Sequence, residues 1–354
     1  MNPNLEPGII LSVYQVYGLV IGEVSNSGDF GRSGELRLIE EPQLCISTIY
    51  HSFSVATNKV IATIFGGIGN QLFCYAAARR LAVVSGAELV IDDVSGFARD
   101  RVYMRRYQLD HFNISCRKTT RAERLEPFSH ARHYLRSGYN RHRPFDKRTY
   151  IVQDRSIDFE PRLLVLRPRG TLRLQGYWQS ESYFQDIEAV IREDLRIVPP
   201  ADKANLEMAA RVRDSLAVAV HVRFFDTPDE NGKGNNNITG EYYTRAVARM
   251  ETLAPGAHYF VFSDRPDAAR ALIPLPDSRA TCISHNQSDE MAYADLWLMT
   301  QCRHFIIANS TFSWWGAWLA GNGGKQVIAP GFEVRGDKTS WGFSGLLPEA
   351  WIKV

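Results

Sequence analysis

Polar side chains end four apolar runs in the second half of the chain. They are the pairs His221 and Arg223, Ser263 and Asp264, and Asn309 and Ser310, together with the single residue His285. In an open α/β sheet, ligands bind beyond the carboxyl ends of the strands. One polar strand end is a common cap, but four of them on one sheet edge indicate a cleft for a polar ligand.

Two features of this set favour an anionic ligand. Arg223 carries a permanently charged, planar guanidinium that suits phosphate oxygens, and a salt bridge to Asp226 is its structural alternative. Ser310 and Thr311 stand where a strand turns into the segment "TFSWWGAWLAG", so free N–H groups and a positive helix end would point outward there. The chain has no GxxxxGK[ST] or HExxH motif and no DxD after an apolar strand of this half, so metal dependence is not suggested.

A glycine turn in the first half is a second candidate site. The run "KVIATIF" (59–65) is followed by "GGIGNQ" (66–71) and then by an alanine- and leucine-rich helical segment. This order is close to the GxGxxG pattern of dinucleotide-binding enzymes, and Asp92 or Asp93 could serve as the ribose-binding acid. The third glycine, which lets helix and strand pack closely, is missing. A nicotinamide dehydrogenase is therefore the weaker alternative for this turn.

Strand-like runs alternate with helical segments along most of the chain, which is typical of a parallel sheet covered on both faces. The segment from "KVIATIF" to "ELVIDD" (88–93) forms one β-α-β unit, with Gly86 expected just past the helix end. Pro199-Pro200 is the best candidate for a domain boundary. The polar strand ends after it would then share one sheet.

Composition limits the class of protein. The 354 residues suffice for two domains, and 45% hydrophobic and 23% charged residues are ordinary for a soluble globular chain. A formal net charge of +2 gives no global field for nucleic acid. The five cysteines form no C-x-x-C pair, which favours reduced thiols in a cytosolic protein. Trp314, Trp315 and Trp318 recur at helical spacing and are predicted to be core residues.

Two stretches bear on contact with a membrane. Residues 7–22 carry no charge, but they are shorter than a membrane span and lack the basic flank of a signal peptide. Residues 121–148 contain eight Arg or Lys residues against three Asp or Glu residues. A solvated surface is the plain interpretation of this second stretch. A patch for anionic lipid or a charged acceptor is the alternative.

Six motifs together resemble those of the α-1,2-fucosyltransferases of glycosyltransferase family 11. They are "GGIGNQLFCYA", "YQLDHF", "QGYWQSESYF", "HVRFFD", "VFSD" and "DLWLMTQCRHFIIANSTFSWWGAWL", and the resemblance runs from about Lys59 to about Pro330. It implies an α/β fold of the glycosyltransferase-B type, with two Rossmann-like domains facing across a cleft. Residues 59–200 would form the acceptor-side domain and residues 201–335 the GDP-fucose-binding domain. Residues 1–58 would be an N-terminal extension, and residues 336–354 a tail packing back on the body.

The resemblance also implies an activity. An inverting transferase of this kind moves L-fucose from GDP-β-L-fucose to the 2-hydroxyl of a β-galactoside, without a metal or other cofactor. The partners would be GDP-fucose and a galactose-containing oligosaccharide or lipid-linked glycan, in surface-glycan or O-antigen synthesis, and not nucleic acid. We expect a cytoplasmic location, with peripheral contact at the inner membrane face left open. A nucleotide- or glycan-binding protein with weak or no transfer activity is the alternative.

Site roles follow from the resemblance by position. Arg223 would be the principal catalytic residue, stabilising the diphosphate leaving group. The donor site would further contain His221, Ser263, Asp264, Asn309, Ser310, Thr311 and Phe312. The acceptor-side cleft would contain Gly67, Gly69, Asn70 and Gln71, and Asn70 is also expected to act in catalysis. No general base is identified, and Asp226 and the pair Asp92 and Asp93 are candidates.

One position departs from the family pattern. The usual order at the arginine is H-x-R-R-x-D, and this chain has Phe224 in place of the second arginine. Arg223 is kept as the essential arginine. A contact to phosphate or acceptor that the second arginine would make is expected to be missing.

Overall fold

The computed structural model describes residues 58–98, 100–101, 103–154, 157–225, 238–321, 323–331, 341 and 344–354. The first 57 residues of the predicted N-terminal extension lie outside this range. So does the segment 226–237, which includes the candidate base Asp226.

A five-stranded parallel sheet occupies the first half of the described chain. Its strands are β1 (Lys59–Thr63), β2 (Glu88–Asp92), β3 (Arg117–Lys118), β4 (Tyr150–Val152) and β5 (Thr171–Gln175), in the order β3-β2-β1-β5-β4. The accompanying helices are α1 (Ile68–Ser85), α2 (Ser129–Arg141), α3 (Arg162–Val165) and α4 (Glu188–Asp194). Gly86 follows α1 with a φ of 57°, the left-handed conformation expected of a glycine just past a helix end.

A six-stranded parallel sheet occupies the second half. Its strands are β6 (Ala217–Val222), β7 (His258–Ser263), β8 (Ala280–Cys282), β9 (His304–Ile306), β10 (Val327–Ala329) and β11 (Ile352–Lys353), in the order β11-β10-β9-β6-β7-β8. The helices are α5 (Lys203–Arg213), α6 (Gly240–Leu253), α7 (Pro266–Leu272), α8 (Ala292–Thr300) and α9 (Thr311–Leu319). This is the doubly wound Rossmann order, in which the strand sequence reverses between β6 and β9. The predicted α/β class with two Rossmann-like sheets is confirmed.

Helices α1 and α9 pack against each other and join the two sheets through one aromatic core. The Phe73 ring lies 4.5 Å from the Trp314 ring and 4.9 Å from the Trp315 ring, measured between centroids. Trp318 is also buried, so the prediction that the three tryptophans are core residues is confirmed. The domain limits at 200 and 335 stay predictions. None of the described helices is long and apolar enough to cross a membrane.

Candidate functional site

The ends of β6 and β9 lie side by side where the strand order of the second sheet reverses. In the parallel register Val220 is opposite Ile306, so both strands finish at the same edge. β6 leads into Arg223, and β9 leads through Asn309 into Ser310, the residue that caps α9. Open α/β sheets bind their ligands at this kind of switch point.

His221 links the two strand ends. Its Nδ1 lies 2.9 Å from Oγ of Ser313 on α9, and its ring centroid lies 5.2 Å from that of Phe312. Burial lowers the pKa of His221 to about 3, and the nearby charge of Arg223 adds to this shift. The imidazole is therefore neutral near pH 7, and it holds the start of α9 against the end of β6.

Arg223 forms an ion pair with a residue of the neighbouring strand end. Its Nη1 lies 2.6 Å from Oδ2 of Asp264, and Oδ1 of Asp264 accepts a hydrogen bond from the Phe224 N–H at 3.1 Å. The two charged side chains are 27% and 30% exposed, so the guanidinium is fixed at one end and accessible at the other. Such a half-exposed pair contributes little to stability but orients the arginine. Ser263 accepts a hydrogen bond from the Arg265 N–H at 3.1 Å and so shapes the same turn.

The glycine turn of the first sheet contacts the start of α9 directly. A Cβ built on Gly69 would lie 2.5 Å from the backbone carbonyl carbon of Thr311 and 2.6 Å from the backbone nitrogen of Phe312. Only glycine permits this approach. Oδ1 of Asn70 accepts hydrogen bonds from Oγ1 of Thr311 at 3.0 Å and from Nε2 of Gln179 at 2.7 Å. The glycine thus serves helix packing, which gives it a role other than dinucleotide binding.

Two helix N-termini therefore meet at this contact. The first N–H groups of a helix have no partner within the helix and carry the positive end of its dipole. Gly67 caps α1 without a side-chain hydrogen bond, and the first turns of α1 and α9 contain no acidic residue. Ser310 satisfies one donor of α9, because its Oγ accepts from the Phe312 N–H at 3.3 Å. The remaining donors and dipoles favour an anion such as phosphate.

Gln71 holds the turn in place rather than presenting its amide to a ligand. Its Nε2 donates to the carbonyls of Gly66 at 2.9 Å and Arg106 at 2.8 Å, and its Oε1 accepts from the Gln108 N–H at 2.9 Å. The side chain is fully buried. Gln108 in turn donates to the carbonyl of Asp289 at 2.6 Å, which ties the "YQLDHF" motif to the second half of the chain.

The two candidate bases on the first sheet are engaged in other contacts. Asp92 is buried, pairs with Arg173 and accepts from the Ser95 N–H at 2.9 Å. Burial raises its pKa, but the hydrogen bond from Ser95 and the charge of Arg173 outweigh burial, so the pKa lies below its usual range. Asp93 lies 3.6 Å from Nζ of Lys118. These contacts favour a structural role for both carboxylates.

The fourth predicted strand end, that of β8, lies beyond β7 and away from the ends of β6 and β9. β8 is the edge strand, two positions from β6, and Nε2 of His285 lies 3.1 Å from Oδ1 of Asn205 on α5. β6, β7 and β9, in contrast, are neighbours in the sheet. The structure therefore brings together Arg223, Asp264 and Ser310 but places His285 against another helix.

Three side chains at the site escaped sequence analysis. Gln179 holds Asn70, Ser313 holds His221, and Gln108 connects Gln71 to Asp289. Gln179, Ser313 and Gln108 all lie inside motifs that carry the resemblance to glycosyltransferase family 11. Membership in those motifs was the available signal, because an isolated glutamine or serine carries no chemical pattern of its own.

Comparisons with known proteins agree with the sequence resemblance. The family model described as "Glycosyl transferase family 11" matches residues 163–336. An α-1,2-colitosyltransferase of Escherichia coli is 27% identical over 302 residues, covering 83% of this chain and 98% of that protein. The O-antigen biosynthesis glycosyltransferase WbnK of Escherichia coli is 27% identical over 316 residues, covering 82% of this chain and 98% of that protein.

The fucosyltransferases whose structures have been solved have lower sequence identity to this chain than the two Escherichia coli relatives have. The α-1,6-fucosyltransferase NodZ soaked with GDP-fucose has 17% identity and a TM-score of 0.45, covering 74% of this chain and 92% of that chain. POFUT1 in complex with GDP-fucose has 14% identity and a TM-score of 0.43, covering 77% of this chain and 97% of that chain. The fold assignment itself depends on the strand order of the two sheets.

Proposed function

Because residues 163–336 match the model of glycosyltransferase family 11, we propose that the chain transfers L-fucose from GDP-β-L-fucose to the 2-hydroxyl of a β-galactoside with inversion. The observation that supports this most is the contact between the N-termini of α1 and α9 beside the end of β6. It combines two helix dipoles with the Arg223 guanidinium, as a diphosphate leaving group requires.

The donor would lie across the switch point of the second sheet. Its diphosphate would accept hydrogen bonds from the first N–H groups of α9 and from the hydroxyls of Ser310 and Thr311. Arg223 would stabilise the negative charge that develops on the departing phosphate. The side chains of His221, Ser263, Asp264, Asn309 and Phe312 would form the remaining walls of the nucleotide site.

Transfer would be a single displacement. The acceptor hydroxyl oxygen attacks the anomeric carbon from the face opposite GDP, and the bond to the β-phosphate oxygen breaks with its electron pair leaving on GDP. The acceptor proton passes to a base or to water. Positioning of the two substrates and neutralisation of the leaving group lower the barrier.

The glycine turn would form the acceptor-side wall of the cleft, with Gly67, Gly69 and Asn70 near the fucose. Asn70 would act through its contact with Thr311, which fixes the start of α9. In this arrangement Arg223 supplies the positive charge that a metal supplies in other transferases, so we include metal independence in the proposal. If turnover falls in EDTA and returns with Mg²⁺ or Mn²⁺, metal independence is contradicted.

A second donor deserves a direct comparison. The α-1,2-colitosyltransferase of Escherichia coli is 27% identical to this chain, and its name specifies colitose as the transferred sugar. GDP-colitose is therefore the alternative donor. The acceptor would be a galactose-containing or lipid-linked glycan of O-antigen synthesis, by analogy with WbnK. Release of GDP from each donor, measured as kcat/KM with one soluble β-galactoside, decides between the two sugars.

Substitution of Arg223 tests the core of the proposal. Arg223→Ala should lower kcat by about 100- to 1,000-fold, the loss typical of removing one preorganised donor to developing charge. Arg223→Lys should recover only part of this, because an ammonium cannot copy the planar fork. Arg245→Ala is the matched control, since Arg245 pairs with Glu241 at the same 2.6 Å distance on α6.

The product and the variants distinguish the outcomes. A fucosyl α-1,2 linkage in the NMR spectrum of the product supports the proposal. GDP binding without GDP release from either donor, over a range of galactosides, would indicate a binding protein instead. Near-normal turnover of folded Arg223→Ala would contradict the catalytic role of Arg223.

A further inference from the structure

Helix α2 turns large apolar side chains toward solvent. Phe128, Tyr134, Leu135 and Tyr139 are 76%, 77%, 68% and 68% exposed, and we refer to these four as the outer face of α2. Elsewhere in the described chain only Met104 and Val165 have a large hydrophobic side chain with comparable exposure, at 73% and 76%. A surface helix of a globular protein normally has the opposite arrangement, with its apolar stripe inward.

The orientation of α2 is fixed from its inner side by a polar residue. Asn140 is buried, and its Oδ1 accepts from the N–H groups of Thr149 at 2.7 Å and Tyr150 at 3.2 Å, where β4 begins. At about 100° per residue, Leu135 and Tyr139 fall on the side of the helix away from Asn140. The apolar side chains are therefore held outward by a specific contact.

Arginines border the outer face on both sides. Viewed down the helix axis, Arg132 lies next to Tyr139 at one edge of the outer face, and Arg141 lies next to Tyr134 at the other edge. The segment 129–143 contains four arginines and no carboxylate. The carboxylates just before it are already paired, Glu123 with Arg117 at 2.8 Å and Glu126 with Arg124 at 2.7 Å. The positive charge around the apolar centre is therefore left uncompensated by this segment.

We propose that the outer face of α2 docks on the surface of an anionic lipid bilayer. Aromatic and leucine side chains flanked by arginines are the arrangement with which interfacial helices insert among headgroups. The apolar centre suits the acyl boundary, and the arginine borders suit anionic phosphates on either side. The use of this contact to reach a lipid-linked acceptor rests on the proposed function, whereas the contact itself rests on α2 alone.

Vesicle binding of the full-length protein tests the proposal. Cosedimentation is measured with vesicles of phosphatidylcholine alone and with vesicles that contain 30% phosphatidylglycerol. Binding should require the anionic lipid and weaken as salt is raised. Tyr134→Ser combined with Leu135→Ser should abolish most of the binding. Arg132→Gln combined with Arg141→Gln should weaken it by about 25-fold, at about fivefold for each arginine.

A matched control comes from another exposed helix. Leu206→Ser combined with Arg211→Gln removes one exposed apolar and one basic side chain from α5 and should leave vesicle binding unchanged. All variants should retain wild-type turnover on a soluble β-galactoside. A variant that loses vesicle binding while keeping turnover separates docking from catalysis.

Four results would overturn the proposal. The first is no binding to anionic vesicles, and the second is equal binding to neutral ones. The third is undiminished binding of both α2 variants, which would place the membrane contact elsewhere in the chain. The fourth is a concentration-dependent dimer that disappears in the Tyr134 and Leu135 variant, which would assign the outer face to a second copy. Vesicle binding without any sugar transfer would leave docking intact and contradict the proposed function alone.

Discussion

Replacing Gly69 by alanine should separate the two helix N-termini on which the proposed donor site depends. The added methyl group would point into the backbone of α9, at the carbonyl group of Thr311 and the nitrogen of Phe312. Backbone cannot rotate away as a side chain can. The substitution should therefore displace the N-terminus of α1 relative to the N-terminus of α9.

The structure sets the size of this displacement. The new Cβ would lie 2.5 Å from the Thr311 carbonyl carbon, and ordinary contact begins at 3.4 Å, so the helices must move apart by about 0.9 Å. Overpacking of this kind destabilises a fold by about 1–3 kcal/mol. Misplacement of catalytic groups by about 1 Å can lower turnover about 100-fold. We expect kcat/KM for GDP-fucose to fall by about two orders of magnitude in Gly69→Ala.

The assay combines initial rates of GDP release with thermal unfolding. Rates are measured with a soluble β-galactoside at a temperature well below the melting temperature of each variant, so that loss of activity is not loss of fold. Gly138→Ala is the control, because a Cβ at Gly138 in the middle of α2 would meet nothing within 4 Å. That variant should be stabilised by about 0.5–1 kcal/mol and should keep its turnover.

A folded Gly69→Ala enzyme with kcat/KM within threefold of wild type would refute this reasoning. It would mean that α9 can shift without consequence, and that its N-terminus does not bind the donor. If Gly69→Ala does not fold, Asn70→Ala probes the same contact without a clash, because it only removes the acceptor for Thr311 and Gln179.

Other perturbations test the remaining contacts. Asn70→Asp keeps an acceptor for the Thr311 hydroxyl but adds a negative charge beside two helix N-termini. The KM for GDP-fucose should therefore rise at least about tenfold, with little change in melting temperature. An unchanged KM would contradict the proposed donor position. Asp92→Asn leaves the buried Arg173 without its counter-charge and should reduce the free energy of unfolding in urea by about 3–5 kcal/mol. Folding lowers the pKa of Asp92, so the ionised carboxylate stabilises the folded protein above the unfolded-state pKa of about 4. This contribution to the free energy of unfolding is lost as the pH falls below that value. Asp92→Asn should remove this pH dependence. The folded-state pKa of His221, about 3, lies below the unfolded value, so stability should decrease as the pH falls below about 6.5. Relative to His221→Gln, the free energy of unfolding should have decreased by roughly 2–3 kcal/mol at pH 4.5. If the free energies of unfolding of the two proteins changed equally with pH, the burial of a neutral imidazole would be contradicted.

Local patterns in the chain were enough to predict the layers of the fold. Apolar, β-branched runs such as "KVIATIF" and "LAVAVHVRF" became the central strands β1 and β6, because a strand buried on both faces is predominantly apolar. The alternation of such runs with helices requires parallel strands, and parallel strands bring their carboxyl ends to one edge. The pattern therefore predicts that Arg223, Asp264 and Ser310 lie at one edge of a sheet.

The side chains that these residues contact could not be predicted from the sequence, because they depend on how the two sheets pack in the folded protein. The Asn70–Thr311 hydrogen bond joins positions 241 residues apart, and the Arg223–Asp264 pair joins the ends of two neighbouring strands. The outward face of α2 likewise depends on where Asn140 finds backbone donors. Such contacts are set by the packing of whole elements against each other. Periodicity along the chain can predict an element and its buried face, but the side chain that it meets across a cleft depends on the position of another element.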